Sequence, residues 1–241
     1  MWRTMVQSVG KLGCLNQLNV VAFSGGVDSS LVAALVHEAF PDNSVACLGV
    51  SAALPFDQLE LARKIAMDIG IPLWETPTTE GLDVNYIQNK GQSCYYCKTN
   101  LYTTLNAVAT HVKAKSGKNP ILFNGTNADD KLDPTRLGLI AAAEFDVKSP
   151  LQDLTKDKVR ALAKERGLLN WNYAASPCLR SRLAFGVEAT KDHLKRVEAA
   201  ESFARSYLHL HPQENLRVRF LPKNQAAIGT QYMNELILMK R

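Results

Sequence analysis

The sequence predicts an α/β protein built on a doubly wound parallel sheet, followed by a small C-terminal α/β domain. Two observations support this prediction: apolar runs typical of buried strands alternate with stretches of helical period, and the pattern of the chain changes after Pro150. With 241 residues, the chain is long enough for one large domain and a smaller companion. We predict a first domain over residues 1–168 and a second over 169–241.

The first half supplies the strands of the predicted sheet. The run VVAF at 20–23 predicts a buried strand, and the apolar residues after it repeat at helical spacing. SVACLGV and IPLWETP predict two more strands, with a helix between them that ends at Gly70. A long helix from Cys94 to Lys115 precedes a fourth apolar run, PILFNGTNADD.

The second half has a different pattern. LTKDKVRALAKERGL predicts a helix that begins near Thr155 and whose charges mostly face solvent. An irregular stretch, LNWNYAASPCLRSRLAFG, follows, and then a helix over Thr190–Leu210 and a short strand in ENLRVRFLP.

Composition narrows the classes of function. A net charge of +5 is mildly basic, which permits anionic substrates but gives little support for nucleic-acid binding. No run approaches the roughly 18 to 20 apolar residues of a membrane span, and the N-terminal apolar stretch is too short for a secretory signal. Five cysteines, an odd number, favour a reducing compartment, so we expect a cytoplasmic protein or one in an organelle.

The loop SGGVDSS lies where the first strand ends and a helix begins. Gly25 and Gly26 let backbone N–H groups approach an anion, and the helix N-terminus favours negative charge. Asp28 would repel bare phosphate, so it acts through Mg²⁺ or caps the helix. The hydroxyls of Ser24, Ser29 and Ser30 add donors for a phosphate or pyrophosphate.

Two further loops end predicted parallel strands and therefore border the same crevice. The first is SAA, which begins at Ser51, and the second is GTNADD. In the second loop Gly125 permits close approach of a nucleotide, and Asn127 can bind its ribose or adenine. Asp129, with its neighbour Asp130, can coordinate Mg²⁺ or simply favour a helix N-terminus.

The string FSGGVDSS resembles the pyrophosphate-binding loop of the N-type ATP pyrophosphatases, which adenylate a carbonyl or carboxylate oxygen. Together with SCYYCKTNLY, NGTNADDKLD and SPCLRSRLAFG, it resembles the LarE family of ATP-dependent sulfur transferases over about residues 18–220. The resemblance implies an adenine nucleotide alpha hydrolase-like fold and the cofactors ATP and Mg²⁺. It also implies a pyridinium dicarboxylate mononucleotide substrate that is adenylated and then converted to a thiocarboxylate.

The source of sulfur depends on three cysteines. Cys94 and Cys97 form a C-x-x-C pair, and Cys178 lies far away in a proline-flanked loop. Three thiolates can bind three corners of a 4Fe–4S cluster and leave one iron open for a hydrosulfide. The family also includes a sacrificial version in which one cysteine, here Cys178, gives up its own sulfur. For the pair Cys94 and Cys97, three other roles remain possible: a dithiol, half of a zinc site, or packing as small buried side chains.

Basic residues complete the predicted site. Lys98 and Arg182 are candidates to neutralise charge as pyrophosphate is displaced. The resemblance implies that Arg217 and Arg219, in LRVRF, hold the substrate phosphate and face a neighbouring subunit of a trimer or hexamer. The other cysteines, Cys14 and Cys47, are expected to serve packing only.

Two rival functions remain. A tRNA thiolase would use the same three cysteines, but it usually carries an RNA-binding module, and this chain has only 7% aromatic residues and no separate basic domain. A non-catalytic nucleotide-binding protein is supported only by the altered segments DPTRLG and NQAAIGT.

Overall fold

Four parallel strands form the main sheet of this chain, in the order β3-β2-β1-β4. Our computed structural model describes residues 1–112, 118–132, 137–211, 214–230 and 237–239. The strands are β1 Asn19–Phe23, β2 Ser44–Val50, β3 Leu73–Pro77 and β4 Ile121–Phe123. All four were predicted, and the fold class is confirmed. Most of DPTRLG, at 133–136, and the end of the predicted long helix, at 113–115, lie outside the described residues.

Helices cover both faces of this sheet, as the doubly wound prediction requires. One core cluster joins Val21 and Leu48 of the strands to α1, α2, α3 and α8, and another joins Val20 and Val45 to α5 and α7. Successive strand residues point to opposite faces, which explains the division. The helices are α1 Trp2–Leu12, α2 Val27–Ala39, α3 Phe56–Ile69, α4 Val84–Ile87, α5 Ser93–Val112, α6 Ala128–Lys131, α7 Gly138–Glu144, α8 Lys156–Glu165 and α9 Lys191–Tyr207.

Local signals account for several helix ends. Gly70 adopts φ 84°, and its N–H bonds the carbonyl of Ala66, so α3 ends where the sequence predicts. The hydroxyl of Thr190 accepts the N–H of His193 and caps α9. Within the described residues, no helix has the length and apolarity needed to cross a membrane.

The small sheet is antiparallel, in the order β5-β6-β7. Its strands are β5 Leu216–Leu221, β6 Gln225–Thr230 and β7 Ile237–Met239. Leu216 and Val218 of β5 pack against Ala204 of α9. The N–H of Ala184 bonds the carbonyl of Phe220, which joins this sheet to the segment that follows the 3₁₀ turn Leu179–Arg182.

Candidate functional site

The glycine loop, residues 24–30, connects the end of β1 to the first turn of α2 at the carboxyl edge of the main sheet. Gly25 has φ +69°, and a Cβ there would lie 2.9 Å from both Cβ of Ala62 and Nε2 of Gln58. Gln58 also donates to the carbonyl of Ser24 at 2.7 Å. Only glycine fits this backbone and this space, so α3 fixes the shape of the loop.

Serine hydroxyls brace the loop from within. Ser29 and Ser30 are buried and donate to the carbonyl of Gly26 at 3.0 and 2.9 Å. Ser24 is exposed, and its hydroxyl lies 3.0 Å from that of Ser29. The N-terminus of α2 therefore presents N–H groups and an exposed hydroxyl, an arrangement suited to an anion.

Asn170 also holds the loop, although no sequence motif indicated this role. Its Nδ2 donates to the carbonyl of Gly25 at 2.8 Å and to Oγ of Ser30 at 3.1 Å. The side chain is 1% exposed, and its Oδ1 has no hydrogen-bond partner among the described residues. The irregular segment that leads towards Cys178 thus begins with a residue fixed to the glycine loop.

The loop after β4 packs directly onto the glycine loop. A Cβ at Gly125 would lie 2.7 Å from the backbone N of Ser29, so the close approach expected of this glycine is made to protein backbone. Asn127 donates from Nδ2 to Oδ1 of Asp28 at 3.1 Å. Its Oδ1 accepts the N–H groups of Asp129 and Asp130, which caps α6.

Both predicted magnesium ligands have protein partners here. Lys156 at the start of α8 forms an ion pair with Oδ2 of Asp28, and its backbone N–H donates to Asp129 at 2.8 Å. Lys156 therefore departs from the solvent-facing role expected for its helix. No cluster of three or more histidine, cysteine, aspartate or glutamate side chains is arranged around a single metal ion within the described residues.

The three cysteines of the predicted sulfur site lie in one region. Cys94 and Cys97 are the second and fifth residues of α5, and Cys178 precedes the 3₁₀ turn at 179–182. Cys97 and Cys178 border the same apolar cluster as Ala53. The N–H of Leu179 donates to the carbonyl of Ala53 at 2.8 Å, so this site adjoins the loop after β2. In that loop the hydroxyl of Ser51 accepts the N–H of Ala53 at 3.2 Å.

Cations surround these thiols. Burial raises the pKa of Cys97 to about 12; Lys98 opposes this rise, and Cys178 and Cys94 add to it. Burial lowers the pKa of Lys98, but Tyr102 and the three thiols raise it by more, so its net shift is upward. Nη2 of Arg180 lies 2.6 Å from Sγ of Cys94. Lys98 and Arg180 thus provide positive charge where thiolates would form.

Arg182 is placed differently from Lys98. It is 4% exposed, and its Nε and Nη2 donate to Glu201 at 2.9 and 3.3 Å. Its Nη1 donates to the carbonyls of Pro177 and Cys178. The charge of Arg182 is therefore paired, and the side chain fixes the backbone around Cys178.

Arg217 and Arg219 alternate with the buried Leu216 and Val218 on β5, so both arginines lie on the other face of the strand. Neither side chain has a hydrogen bond or an ion pair within the described residues. Burial lowers the pKa of Arg217, and the charges of Arg182 and Arg219 lower it further. This face of the small sheet thus concentrates positive charge and is suited to an anion.

Comparisons with known proteins identify the family of this chain. The NAD synthase family matches residues 3–178. An uncharacterized protein of Synechocystis sp. is 37% identical over 86% of this chain and 77% of its own length. The pyridinium-3,5-bisthiocarboxylic acid mononucleotide synthase of Lactiplantibacillus plantarum is 37% identical over 77% of this chain, which spans 66% of that synthase. A glutamine-hydrolyzing GMP synthase of Helicobacter pylori is 28% identical, and 39% of its length is covered.

Proposed function

We propose an activity from one premise: the chain belongs to the NAD synthase family. The chain is an ATP-dependent sulfur transferase. It adenylates a carboxylate of a substrate like pyridinium-3,5-dicarboxylate mononucleotide, releases pyrophosphate and installs sulfur as a thiocarboxylate. The 37% identity to the Lactiplantibacillus synthase supports this substrate class, and the glycine loop supports the first step.

In the first step, a carboxylate oxygen of the substrate attacks the α-phosphorus of ATP, and pyrophosphate leaves. The N–H groups at Gly25 and Gly26, with the hydroxyl of Ser24, bind the pyrophosphate. Asp28 and Asp129 would supply carboxylates for Mg²⁺, a donor type that fits this ion, and the ion would offset phosphate charge when bound. Of the other predicted nucleotide-binding residues, Ser51, in the loop after β2, is assigned to the nucleotide itself. Four others keep the glycine loop in shape through contacts with protein: Ser29, Ser30, Gly125 and Asn127.

The grouping of the thiols carries the proposal for the second step. Because Cys94, Cys97 and Cys178 lie together beside Lys98, they fit a 4Fe–4S cluster by donor type and would hold it through their thiolates. When bound, such a cluster supplies an open iron for a hydrosulfide. The protein then has to hold the acyl adenylate near these thiols and neutralise its charge, the role we assign to Lys98. Arg182 positions the Cys178 loop.

The small sheet supplies the substrate phosphate site in this proposal. Arg217 and Arg219 bind the phosphate of the mononucleotide, and both lie in the second of the two proposed domains, 169–241. We also propose a homo-oligomer, a trimer or hexamer, in which this face meets a neighbouring subunit. The free cysteines support a reducing, cytoplasmic location.

Iron and acid-labile sulfide content after anaerobic reconstitution tests the sulfur source. We expect about four irons per chain in the wild type and loss of most of them in Cys97→Ala. Cys14→Ala is the matched control and keeps its iron. Little iron in the wild type would favour sacrificial donation by Cys178, which single-turnover mass spectrometry detects as a loss of sulfur.

Pyrophosphate release tests the first step separately. Release from ATP that depends on an added pyridinium dicarboxylate mononucleotide supports adenylation. ATP binding without release would indicate a non-catalytic nucleotide-binding protein. Salt-dependent retention of tRNA, with thiolation of that tRNA, would instead support the tRNA thiolase.

A further inference from the structure

Two buried polar groups near the thiols lack hydrogen-bond partners within the described part of the chain. Glu80, in the 3₁₀ turn Glu80–Leu82, is 3% exposed, and its Oε2 accepts no hydrogen bond from a described residue. Tyr86 on α4 is 2% exposed, and its hydroxyl likewise has no partner among those residues. A buried polar atom without a partner destabilises a fold, so such atoms often indicate a ligand or a functional role.

Both groups are fixed in place from α5, the helix that carries Cys94 and Cys97. The N–H of Thr79 donates to Oδ1 of Asn100 at 3.0 Å, and Nδ2 of Asn100 donates back to the hydroxyl of Thr79 at 2.9 Å. The hydroxyl of Ser93 donates to the carbonyl of Tyr86 at 3.0 Å. Glu80 and Tyr86 are therefore held at the thiol site by the same helix.

Packing and charge place the two groups with the thiols. Tyr86 belongs to the apolar cluster that Cys97 and Cys178 border. Burial raises the pKa of the Tyr86 phenol, and the charges of Cys178, Cys97 and Glu80 raise it further. Glu80 also contributes to the raised pKa of Cys97. Tyr86 therefore shares an apolar cluster with Cys97 and Cys178, and Glu80 lies near enough for its charge to act on both the phenol and Cys97.

We propose that Glu80 and Tyr86 bind the sulfur that is transferred, as a hydrosulfide ion. This inference rests on the proposed function and names the group that its thiol site accepts. Hydrosulfide has one S–H, which donates to Glu80, and lone pairs, which accept the Tyr86 hydroxyl. Lys98 balances the negative charge of this ion, and its polarizable sulfur suits the apolar cluster that includes Ala53 and Leu179.

The transfer balances without an oxidant or a reductant. The sulfur of hydrosulfide forms a C–S bond to the acyl carbon, and the C–O bond to AMP breaks, so AMP leaves with the electron pair. The S–H proton passes to the Glu80 carboxylate, and the product is a thiocarboxylate. Glu80 then returns the proton to solvent before the next hydrosulfide binds.

Sodium sulfide titrations of the iron-reconstituted full chain test the proposal. Because a ligand that binds only the folded state raises its stability, sulfide should raise the thermal midpoint of the wild type. We expect the sulfide concentration for half of this shift to rise about tenfold in Tyr86→Phe and in Glu80→Gln. Tyr95→Phe is the matched control, since its phenol bonds Glu144 instead, and its half-shift concentration stays unchanged.

The same four proteins distinguish the possible results. Equal half-shift concentrations in all of them, or no shift in the wild type because only water fills the site, would overturn the proposal. Without sulfide, Tyr86→Phe should be at least as heat-stable as the wild type, because it removes an unpartnered hydroxyl. A clearly lower midpoint would show that the hydroxyl is structural and would also overturn the proposal. Loss of mononucleotide-dependent pyrophosphate release in the wild type would instead count against the proposed function.

Discussion

At the scale of single residues, Lys156 and Asn170 bear directly on the glycine loop, and each comes from a segment distant in sequence. Lys156 pairs with Asp28 from 128 positions away, and Asn170 reaches Gly25 across 145. Neither residue belongs to a motif with a fixed spacing. The negative charge of Asp28 predicted that a cation would lie beside it in a phosphate site. Only the fold shows that Lys156 provides such a cation.

Asn170 should control nucleotide binding through the orientation of the Gly25 peptide. Asn170→Ala removes the donor to the Gly25 carbonyl, so we expect the KM for ATP to rise roughly 5- to 100-fold with a smaller change in kcat. Asn170→Asp should raise the KM for ATP further, because its carboxylate would face the Gly25 carbonyl and repel it. Steady-state kinetics of pyrophosphate release provide the measurement, and Asn172→Ala, in the same segment, is the control.

A purely structural role for Asn170 makes a different prediction. Both variants would then lose thermal stability while the surviving folded enzyme kept the KM of the wild type. Equal KM values for wild type and Asn170→Asp would therefore contradict a positioning role.

At the scale of elements, the helices and strands with a strong apolar pattern were predicted from the sequence. The elements that were missed are those defined by their contacts with other parts of the chain. The strands β1 to β4 were recognisable because their apolar runs are buried in a parallel sheet. In contrast, α1 was missed: in this helix, all of which the structure describes, Val9 is the one buried residue, and no side chain caps the start. The strand β6, with the sequence QAAIGT, has low strand propensity and is defined by its pairing with β5.

The strand β5 presents a testable anion site. Arg217→Gln and Arg219→Gln should each raise the KM for the mononucleotide about tenfold or more and leave the KM for ATP unchanged. Neither substitution should lower the urea concentration at the midpoint of unfolding appreciably. Burial and the charges of Arg182 and Arg219 disfavour the charge on Arg217 by more than Glu201 favours it, so removing that charge relieves a net unfavourable interaction.

Arg63→Gln is a suitable control for these variants. It removes an exposed arginine of α3, which pairs with Glu60 and Glu75 and does not belong to the small sheet. If all three variants changed the mononucleotide KM equally, the effect would reflect overall charge, and the assignment to β5 would fail.

At the scale of the whole molecule, the site is assembled from loops that the parallel sheet brings to one edge. That rule was enough to predict that SGGVDSS and GTNADD would meet, and Asn127 does contact Asp28. It could not predict the cations of the thiol site, because Arg180 reaches Cys94 across 86 positions through an irregular segment without periodicity. The sequence therefore indicated the chemistry of the site better than its side-chain pairings.

Glu201 joins the small sheet to the thiol site and allows this connection to be tested. It accepts Arg182 and also the N–H of Val218 at 3.0 Å, while Arg182 holds the carbonyl of Cys178. Glu201→Gln leaves a buried guanidinium uncompensated, so we expect a loss of about 3–5 kcal/mol in the free energy of unfolding. Pairing Arg182→Met with Glu201→Leu should recover much of that loss, because neither charge then remains buried.

Urea unfolding of the single and double variants measures this coupling, with Glu198→Gln as the control. Glu198 lies on the same helix but is partly exposed to solvent, where it accepts the N–H of Phe56. If the effects of Arg182→Met and Glu201→Leu on the free energy of unfolding were additive, the two residues would not be a coupled pair. If the pair also orders the Cys178 loop, the double variant should regain stability without regaining iron, because Arg182→Met removes the donor to the Cys178 carbonyl. If the double variant regained both stability and iron, the Cys178 loop would be positioned by its backbone and the apolar cluster alone.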